Sequence, residues 1–386
     1  MSGKPKEKNK KICVVCGGSA GHIFPALALA EEIKNIYADR AELLFVTSEN
    51  RLALDILKKS AFAFRTLPLH RKEARPFGGG TGSLFQDLRR GALFVSGLIK
   101  AFFRSAMIIF RFRPDCIVCF GSYIAVPPFA AGLIMGAPIL IHEQNAVMGR
   151  ANRLMSRFAD KVALSFPAEA VSRNAVVTGN PVRQRAAGAR EKSDALALLG
   201  LRCDRLTLLV IGGSQGSRTV NEAVIGMFRE MGADLKKGLQ VIHLCGDRDR
   251  ENLEGGYGAL DVLCRVYPFF EDMGLLYSAA DISISRAGAS VICELCAHRM
   301  PAVLVPYPYA GGHQLRNARF LEKRQAAVVA EESGLLKMSL LRHTQTLVSD
   351  EGARKRMGEK IGAVVSPDSG RRLALQAGAL AGLDLR

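Results

Sequence analysis

No run of about 20 uninterrupted apolar residues occurs in this chain of 386, so no membrane-spanning helix is expected. The opening from Met1 to Lys11 is polar and lysine-rich, and only about six apolar residues follow it, too few for a secretory signal. Cytoplasmic residence is the expectation. Two familiar phosphate signatures are also missing. G-x-x-x-x-G-K-[ST] does not occur at the chain's glycine turns, which sets aside a P-loop. G-x-G-x-x-G fails there as well, because Ser19 and Ser214 stand at the middle glycine positions, which sets aside a nicotinamide enzyme. Acids are scarce: 36 Asp and Glu face 53 Lys and Arg, a net charge of +17. Such a balance draws polyanions, whether nucleic acid, anionic lipid or phosphorylated substrates. No nucleic-acid recognition motif is present, and the basic residues alternate with aliphatics instead of stacking aromatics, so nucleic acid is not an expected partner.

Nine cysteines invite a metal or disulfide reading, and three pairs have C-x-x-C spacing: Cys13/Cys16, Cys116/Cys119 and Cys293/Cys296. The first two pairs lie in strand-like runs, where residues three apart point to opposite faces and cannot close on one ion. The third lies in a helical run without the knuckle turn of a zinc site, and no paired histidines complete a tetrahedral set. Buried free thiols in a reducing compartment, with no metal and no cofactor, are expected.

What the chain does have is one phosphate-cradling device, twice. Lys11–Cys16 reads as a buried strand, followed by Gly17-Gly-Ser-Ala-Gly21 and a helical run from Pro25. Leu206–Ile211 repeats the strand, followed by Gly212-Gly-Ser-Gln-Gly216 and a second amphipathic run. Each device leaves backbone N–H groups at the positive end of a helix dipole, aimed at whatever sits above the turn. Two copies, one in each half, imply two similar α/β domains facing a shared cleft, suited to a large, anionic, two-part substrate.

The pattern between them supports this. Further strands are expected at 43–47, 114–120, 138–141, 240–244, 263–267, 282–285 and 302–305, with helices at 51–58 and 370–383. Strands separated by helices mean parallel sheets, with ligands beyond the strands' carboxyl ends. The polar groups Gly121-Ser-Tyr123 and His142-Glu-Gln-Asn145 fall there. Proline and glycine in Gly179-Asn-Pro-Val-Arg183 mark the junction between domains 1–182 and 183–366.

Between His70 and Arg113 nine Lys or Arg face two acids, beginning in a flexible Gly78–Gly82 stretch. Arg90, Gly97, Arg104 and Arg111 recur every seven residues as a narrow polar stripe on an apolar helix. Interfacial helices are built this way, so part of this helix is expected in the core and part on an anionic membrane surface.

A third phosphate site follows the strand Asp281–Ser285. The N–H groups of Ala289, Ser290, Val291 and Ile292 open a helix there, ready for a diphosphate. Glu294, one turn deeper on the Ser290 face and flanked by Cys293, can accept two ribose hydroxyls.

Taken in order, Gly17-Gly-Ser-Ala-Gly-His22-Ile-Phe-Pro25, Gly121-Ser-Tyr123, His142-Glu-Gln-Asn145, Gly179-Asn-Pro-Val-Arg183, Gly212-Gly-Ser-Gln-Gly216, Ser285-Arg-Ala-Gly288 with Glu294, and His313-Gln-x-x-Asn317-Ala span nearly the whole chain. The set resembles the MurG family of peptidoglycan N-acetylglucosaminyltransferases, in glycosyltransferase family 28. The resemblance implies the GT-B fold, two Rossmann-like parallel-sheet domains facing a central cleft, with a 367–386 helix crossing back to the first domain. It also implies inverting transfer of N-acetylglucosamine from its UDP donor to lipid I, an undecaprenyl-pyrophosphoryl muramyl-pentapeptide. The product, lipid II, would serve peptidoglycan synthesis. The cytoplasmic face of the inner membrane is the implied site, with cell-wall and division proteins as candidate partners. Donor contacts implied residue by residue are Ser19, Ala20, Gly21, Asn145, Arg183, Ser214, Phe270, the stretch Ala289–Glu294, and Gln314. Ala20 departs from the family's usual glycine and would be strained at positive φ.

Displacing UDP needs a base for the acceptor hydroxyl and stabilisation of the leaving diphosphate. His22 is the first candidate base and Glu143 the second. A UDP-N-acetylglucosamine 2-epimerase shares fold and donor but needs no greasy basic face. A non-catalytic membrane scaffold leaves Glu294 and the helix-end site unexplained.

Overall fold

The computed structural model describes residues 9–69, 84–167, 173–213 and 216–385. Ser214 and the Gly78–Gly82 stretch lie outside them. Two compact units form. Met1–Gln144, Met148–Pro181 and Asp368–Arg386 make the first; Asn145–Val147 and Val182–Pro367 make the second.

The first unit holds seven parallel strands: β1 (Lys10–Val15), β2 (Ala41–Ser48), β3 (Ala63–Leu67), β4 (Cys116–Cys119), β5 (Ile139–Glu143), β6 (Lys161–Leu164) and β7 (Ala175–Val177). Their order is β3-β2-β1-β4-β5-β6-β7. Both faces are covered, so β1 is apolar on both and its side chains divide between two cores. Ile12, Val14 and Cys16 join the core under the Ala20–Tyr37 and Ser369–Ala381 helices. Cys13 and Val15 join the opposite one, under the Leu84–Phe112 and Val126–Ile134 helices. Cys13 and Cys16 thus face apart, and burial pushes both thiols up to about 12. The Ser369–Ala381 helix lies so close to the Ala20–Tyr37 helix that a Cβ on Gly378 would meet the Tyr37 hydroxyl at 2.2 Å.

The second unit holds six parallel strands: β8 (Leu206–Ile211), β9 (Leu239–Leu244), β10 (Cys264–Tyr267), β11 (Ile282–Ser285), β12 (Ala302–Leu304) and β13 (Val328–Val329). Their order is β10-β9-β8-β11-β12-β13. In each sheet the order reverses beside the first strand, between β1 and β4 and between β8 and β11. Ligands of open parallel sheets sit beyond such reversals. Both glycine turns leave from these strands.

Sequence patterning misses β3, β6 and β13, which are short or only half-buried. It also starts the first helix late. That helix begins at Ala20, five residues before Pro25, because Ser19 caps it with extended backbone. Gly97, expected on the polar stripe, is buried, while Lys100, Arg104 and Arg111 are exposed. The exposed face carries Val95, Ile99, Phe103, Met107 and Phe110 instead.

Candidate active site

In the first unit the chain leaves β1 through Gly17 and Gly18 and enters the helix at Ser19. The Ser19 carbonyl accepts from the His22 and Ile23 N–H groups at 3.0 and 3.1 Å. The Ser19 hydroxyl lies 2.6 Å from His22 Nδ1. With Nδ1–H donating to Ser19, Nε2 carries the lone pair a general base needs. Ala20 takes the first helical position and is not among the residues with positive φ, so the strain expected of its methyl does not arise. Pro25 lacks an N–H, which leaves the Gly21 carbonyl without its usual i+4 donor in the first turns.

Glu143 is 2 % exposed at the end of β5. Its Oε2 accepts from the Gly149 N–H at 3.0 Å and from Asn152 Nδ2 at 2.8 Å. The carboxylate thus anchors the start of the Arg150–Met155 helix, a role at odds with proton exchange at an open site. His142 is fully buried and its imidazole is driven down to about 4 by desolvation. Its Nε2–H donates to the Gly179 carbonyl at 3.0 Å, and Gln144 Nε2 donates to Nδ1 at 3.2 Å and to the Phe120 carbonyl at 3.0 Å. One neutral imidazole therefore ties together the ends of β4 and β5 and the Gly179 turn.

In the second unit the glycine turn closes tightly. Gly216 has φ 73°, and a Cβ there would stand 2.0 Å from the Cys245 carbonyl oxygen. Ser217 caps the Arg218–Glu230 helix. Arg286, 7 % exposed, donates to Ser217 Oγ and to Glu332 Oε2, both at 2.6 Å, and its guanidinium lies over the Tyr307 ring. It binds the loops after β8, β11 and β12 into one body.

The Ala289–Ala297 helix follows, capped by Gly288 without a side-chain bond. The Ile292 N–H already donates to the Gly288 carbonyl at 3.0 Å. The N–H groups left without an intrahelical acceptor are therefore those of Ala289, Ser290 and Val291, one fewer than the sequence suggests. Ile292 and Cys293 turn their side chains into the core, at 0 % and 1 % exposure. Ser290 Oγ is buried without a hydrogen-bond partner among the described residues. Glu294 is half-buried, and its carboxyl is pushed up to about 7 by burial, against the opposing pull of the Tyr277 hydroxyl and the Arg183 charge.

Gln314 spends its side-chain oxygen on the N–H groups of Ala287 and Tyr307, at 3.2 and 3.0 Å. Only its amide nitrogen is left for a sugar hydroxyl. Asn145 sits in the same unit, its Oδ1 accepting from Asn317 Nδ2 at 3.2 Å. Asn317 Oδ1 in turn accepts from the Ala146 N–H at 2.8 Å. Phe270 packs edge-on against Tyr267 with ring centres 4.8 Å apart, beyond the end of β10.

The structure therefore gathers Ser19, Gly21 and His22 in one unit. It gathers Asn145, Arg183, Ala289–Glu294 and Gln314 in the other, with Phe270 at the end of β10. Ser214 lies outside the described residues. Sequence reasoning passed over Tyr277, Arg286, Ser217 and Asn152. Arg286 stood inside a quoted motif, whereas Tyr277 meets Glu294 only through tertiary packing of its helix.

Two family descriptions match. The glycosyltransferase family 28 N-terminal domain covers residues 12–164 and the C-terminal domain of the same family covers 207–368. The chain is 34 % identical over 359 residues to the UDP-N-acetylglucosamine–N-acetylmuramyl-(pentapeptide) pyrophosphoryl-undecaprenol N-acetylglucosamine transferase of Desulfotalea psychrophila, with 91 % of each chain covered. It is 34 % identical over 370 residues to the enzyme of that name from Listeria monocytogenes, covering 94 % of this chain and 97 % of the relative. Among solved structures it is similar to Acinetobacter baumannii MurG, with a TM-score of 0.76 and 25 % identity over 96 % of this chain and 99 % of that one. A UDP-N-acetylglucosamine 2-epimerase shares the fold alone, at 12 % identity and a TM-score of 0.64.

Proposed function

The chain belongs to glycosyltransferase family 28, and on that premise we propose that it moves N-acetylglucosamine from its UDP donor to undecaprenyl-pyrophosphoryl-N-acetylmuramyl-pentapeptide, a step of peptidoglycan synthesis. The observation that carries this reading is the 34 % identity, over nine-tenths of the chain, to transferases of that name. The epimerase alternative rests on fold likeness alone.

The second unit holds the donor. Its diphosphate lies on the N–H groups of Ala289, Ser290 and Val291, with Arg183 beside it, where helix dipole and guanidinium take up the charge of the leaving group. Glu294 accepts the ribose hydroxyls, and the Gln314 amide donates to the sugar. The first unit holds the acceptor. As the acceptor oxygen forms its bond to the anomeric carbon, its proton passes to His22 Nε2. The bond from that carbon to the diphosphate oxygen breaks, and UDP leaves with the electron pair. Attack opposite the leaving group inverts the anomeric centre.

The acceptor's polyprenyl tail stays in lipid, and the Leu84–Phe112 helix meets that surface. Phe103 is 66 % and Phe110 64 % exposed, and Ile134 on the neighbouring helix is 74 % exposed. Exposed Lys100, Arg104, Arg111 and Arg113 flank the apolar row and suit anionic headgroups at the cytoplasmic face of the inner membrane.

The decisive experiment follows radiolabelled N-acetylglucosamine from donor to a short-chain lipid I analogue. Label in the lipid product, dependent on the analogue, is the expected result. Donor turnover without acceptor would point to an epimerase or hydrolase instead.

A further inference from the structure

Ser122 is out of keeping with its backbone. It follows β4 in the Gly121-Ser-Tyr123 turn with φ 68° and ψ 158°, a region close to glycine-only. A serine persists there only if its surroundings over-determine the conformation, and they do. Phe120 is fixed through its N–H to the Val15 carbonyl and through its carbonyl to Gln144. A Cβ on Gly121, itself at φ 78°, would stand 2.9 Å from Asn152 Nδ2. The Ser122 carbonyl accepts from the Ala125 N–H at 3.1 Å, closing the turn. Glycine would fill position 122 without strain, so the backbone supplies no reason for a serine.

The side chain supplies one. A methyl on Gly17 would stand 3.0 Å from the Ser122 Cβ and 3.3 Å from the His22 ring. Ser122 and His22 thus flank the same glycine of the first turn. The Ser122 hydroxyl is part-exposed and bonds to no other described residue. A hydroxyl held in a strained backbone, beside the candidate base, is placed for substrate and not for the fold.

We propose that Ser122 is an acceptor-binding residue whose hydroxyl hydrogen-bonds the hydroxyl-bearing pyranose that His22 deprotonates. The assignment rests on the transferase reading above. It also accounts for a strained serine that packing alone leaves without cause.

Ser122→Ala keeps the strain and removes the hydroxyl; Ser122→Gly removes both. The intact protein is assayed with donor and a short-chain lipid I analogue, and thermal unfolding is followed in parallel. Both variants are expected to raise the acceptor KM roughly three- to tenfold, the range of one neutral hydrogen bond, with donor KM unchanged. Ser122→Gly is also expected to unfold at a higher temperature than wild type while binding acceptor worse, a pairing that a purely structural role would not give. Acceptor KM within twofold of wild type in both variants would overturn the assignment. A wild-type protein that turns over donor but transfers no sugar would instead overturn the transferase reading, and Ser122's role with it.

Discussion

The Tyr277 hydroxyl donates to Glu294 Oε2 at 2.8 Å, and this bond holds the carboxyl nearer its ordinary range than burial alone would leave it. With its titration near 7, Glu294 is half-ionised at neutral pH. If the carboxylate receives ribose hydroxyls, donor KM should fall as pH rises from about 6 to 8. Tyr277→Phe removes the opposing bond and should move that limb to higher pH. A donor-KM profile across this range tests both; a flat wild-type profile would remove Glu294 from the ribose.

The same carboxyl bears on stability. Its folded titration lies above that of an unfolded glutamate, so the native state holds a proton where the unfolded state has released it. Its contribution is present below about 4.5 and is lost as pH rises through about 7. Glu294→Gln should flatten the decline in urea midpoint over that interval.

Buried histidines act with the opposite sign. His142 titrates near 4 and His243 near 3, both depressed by desolvation. The unfolded chain takes up these protons first, so stability falls as pH drops from about 6.5 toward 4. A shift of the size seen at His142 is worth about 3 kcal/mol by linkage. His243 also bonds Tyr257 and Asn221, at 2.8 and 3.0 Å, so its replacement should cost stability at every pH. Urea titrations at pH 7.5 and 5.0 separate the two effects.

His22→Ala should lower single-turnover transfer by well over tenfold while donor affinity stays at the wild-type value. Ser19→Ala should have a smaller effect, since it loosens the ring without removing the base. A His22→Ala rate within tenfold of wild type would strip the histidine of that role.

Arg286→Met leaves the half-buried Glu332 without its cation and should destabilise the protein by about 3 kcal/mol. It also releases Ser217 and the second glycine turn, so donor KM should rise even in protein that remains folded. Adding Glu332→Leu should restore much of the stability and none of the donor affinity. Recovery of both would mean that Arg286 serves the fold alone.

Much of this architecture is legible in the chain because parallel, fully buried strands are nearly continuous apolar runs, as in Lys11–Cys16 and Leu206–Ile211. Glycine turns and the proline-marked Gly179–Arg183 stretch stand out for the same local reasons. The apolar face of the Leu84–Phe112 helix is less readable: a side chain such as Phe103 looks the same in sequence whether it meets a core or water. Tyr277 and Glu294 are 17 positions apart and on different helices, so no spacing rule joins them. The strain at Ser122 is a property of dihedral angles, which its sequence neighbours Gly121 and Tyr123 only hint at.

Residues from Asp368 onward complete the first unit, yet the ribosome makes them only after the whole of Val182–Pro367. At roughly 5–20 residues per second, the first 181 residues wait on the order of ten seconds or more for their final helix. During that interval the face of the Ala20–Tyr37 helix that later receives Leu373, Ala374 and Ala377 lies uncovered. The second unit, nearly continuous in sequence, can finish first. The order of birth and the order of completion are thus reversed, and a nascent chain halted before Asp368 would present that bare helix face to chaperones or to its neighbours.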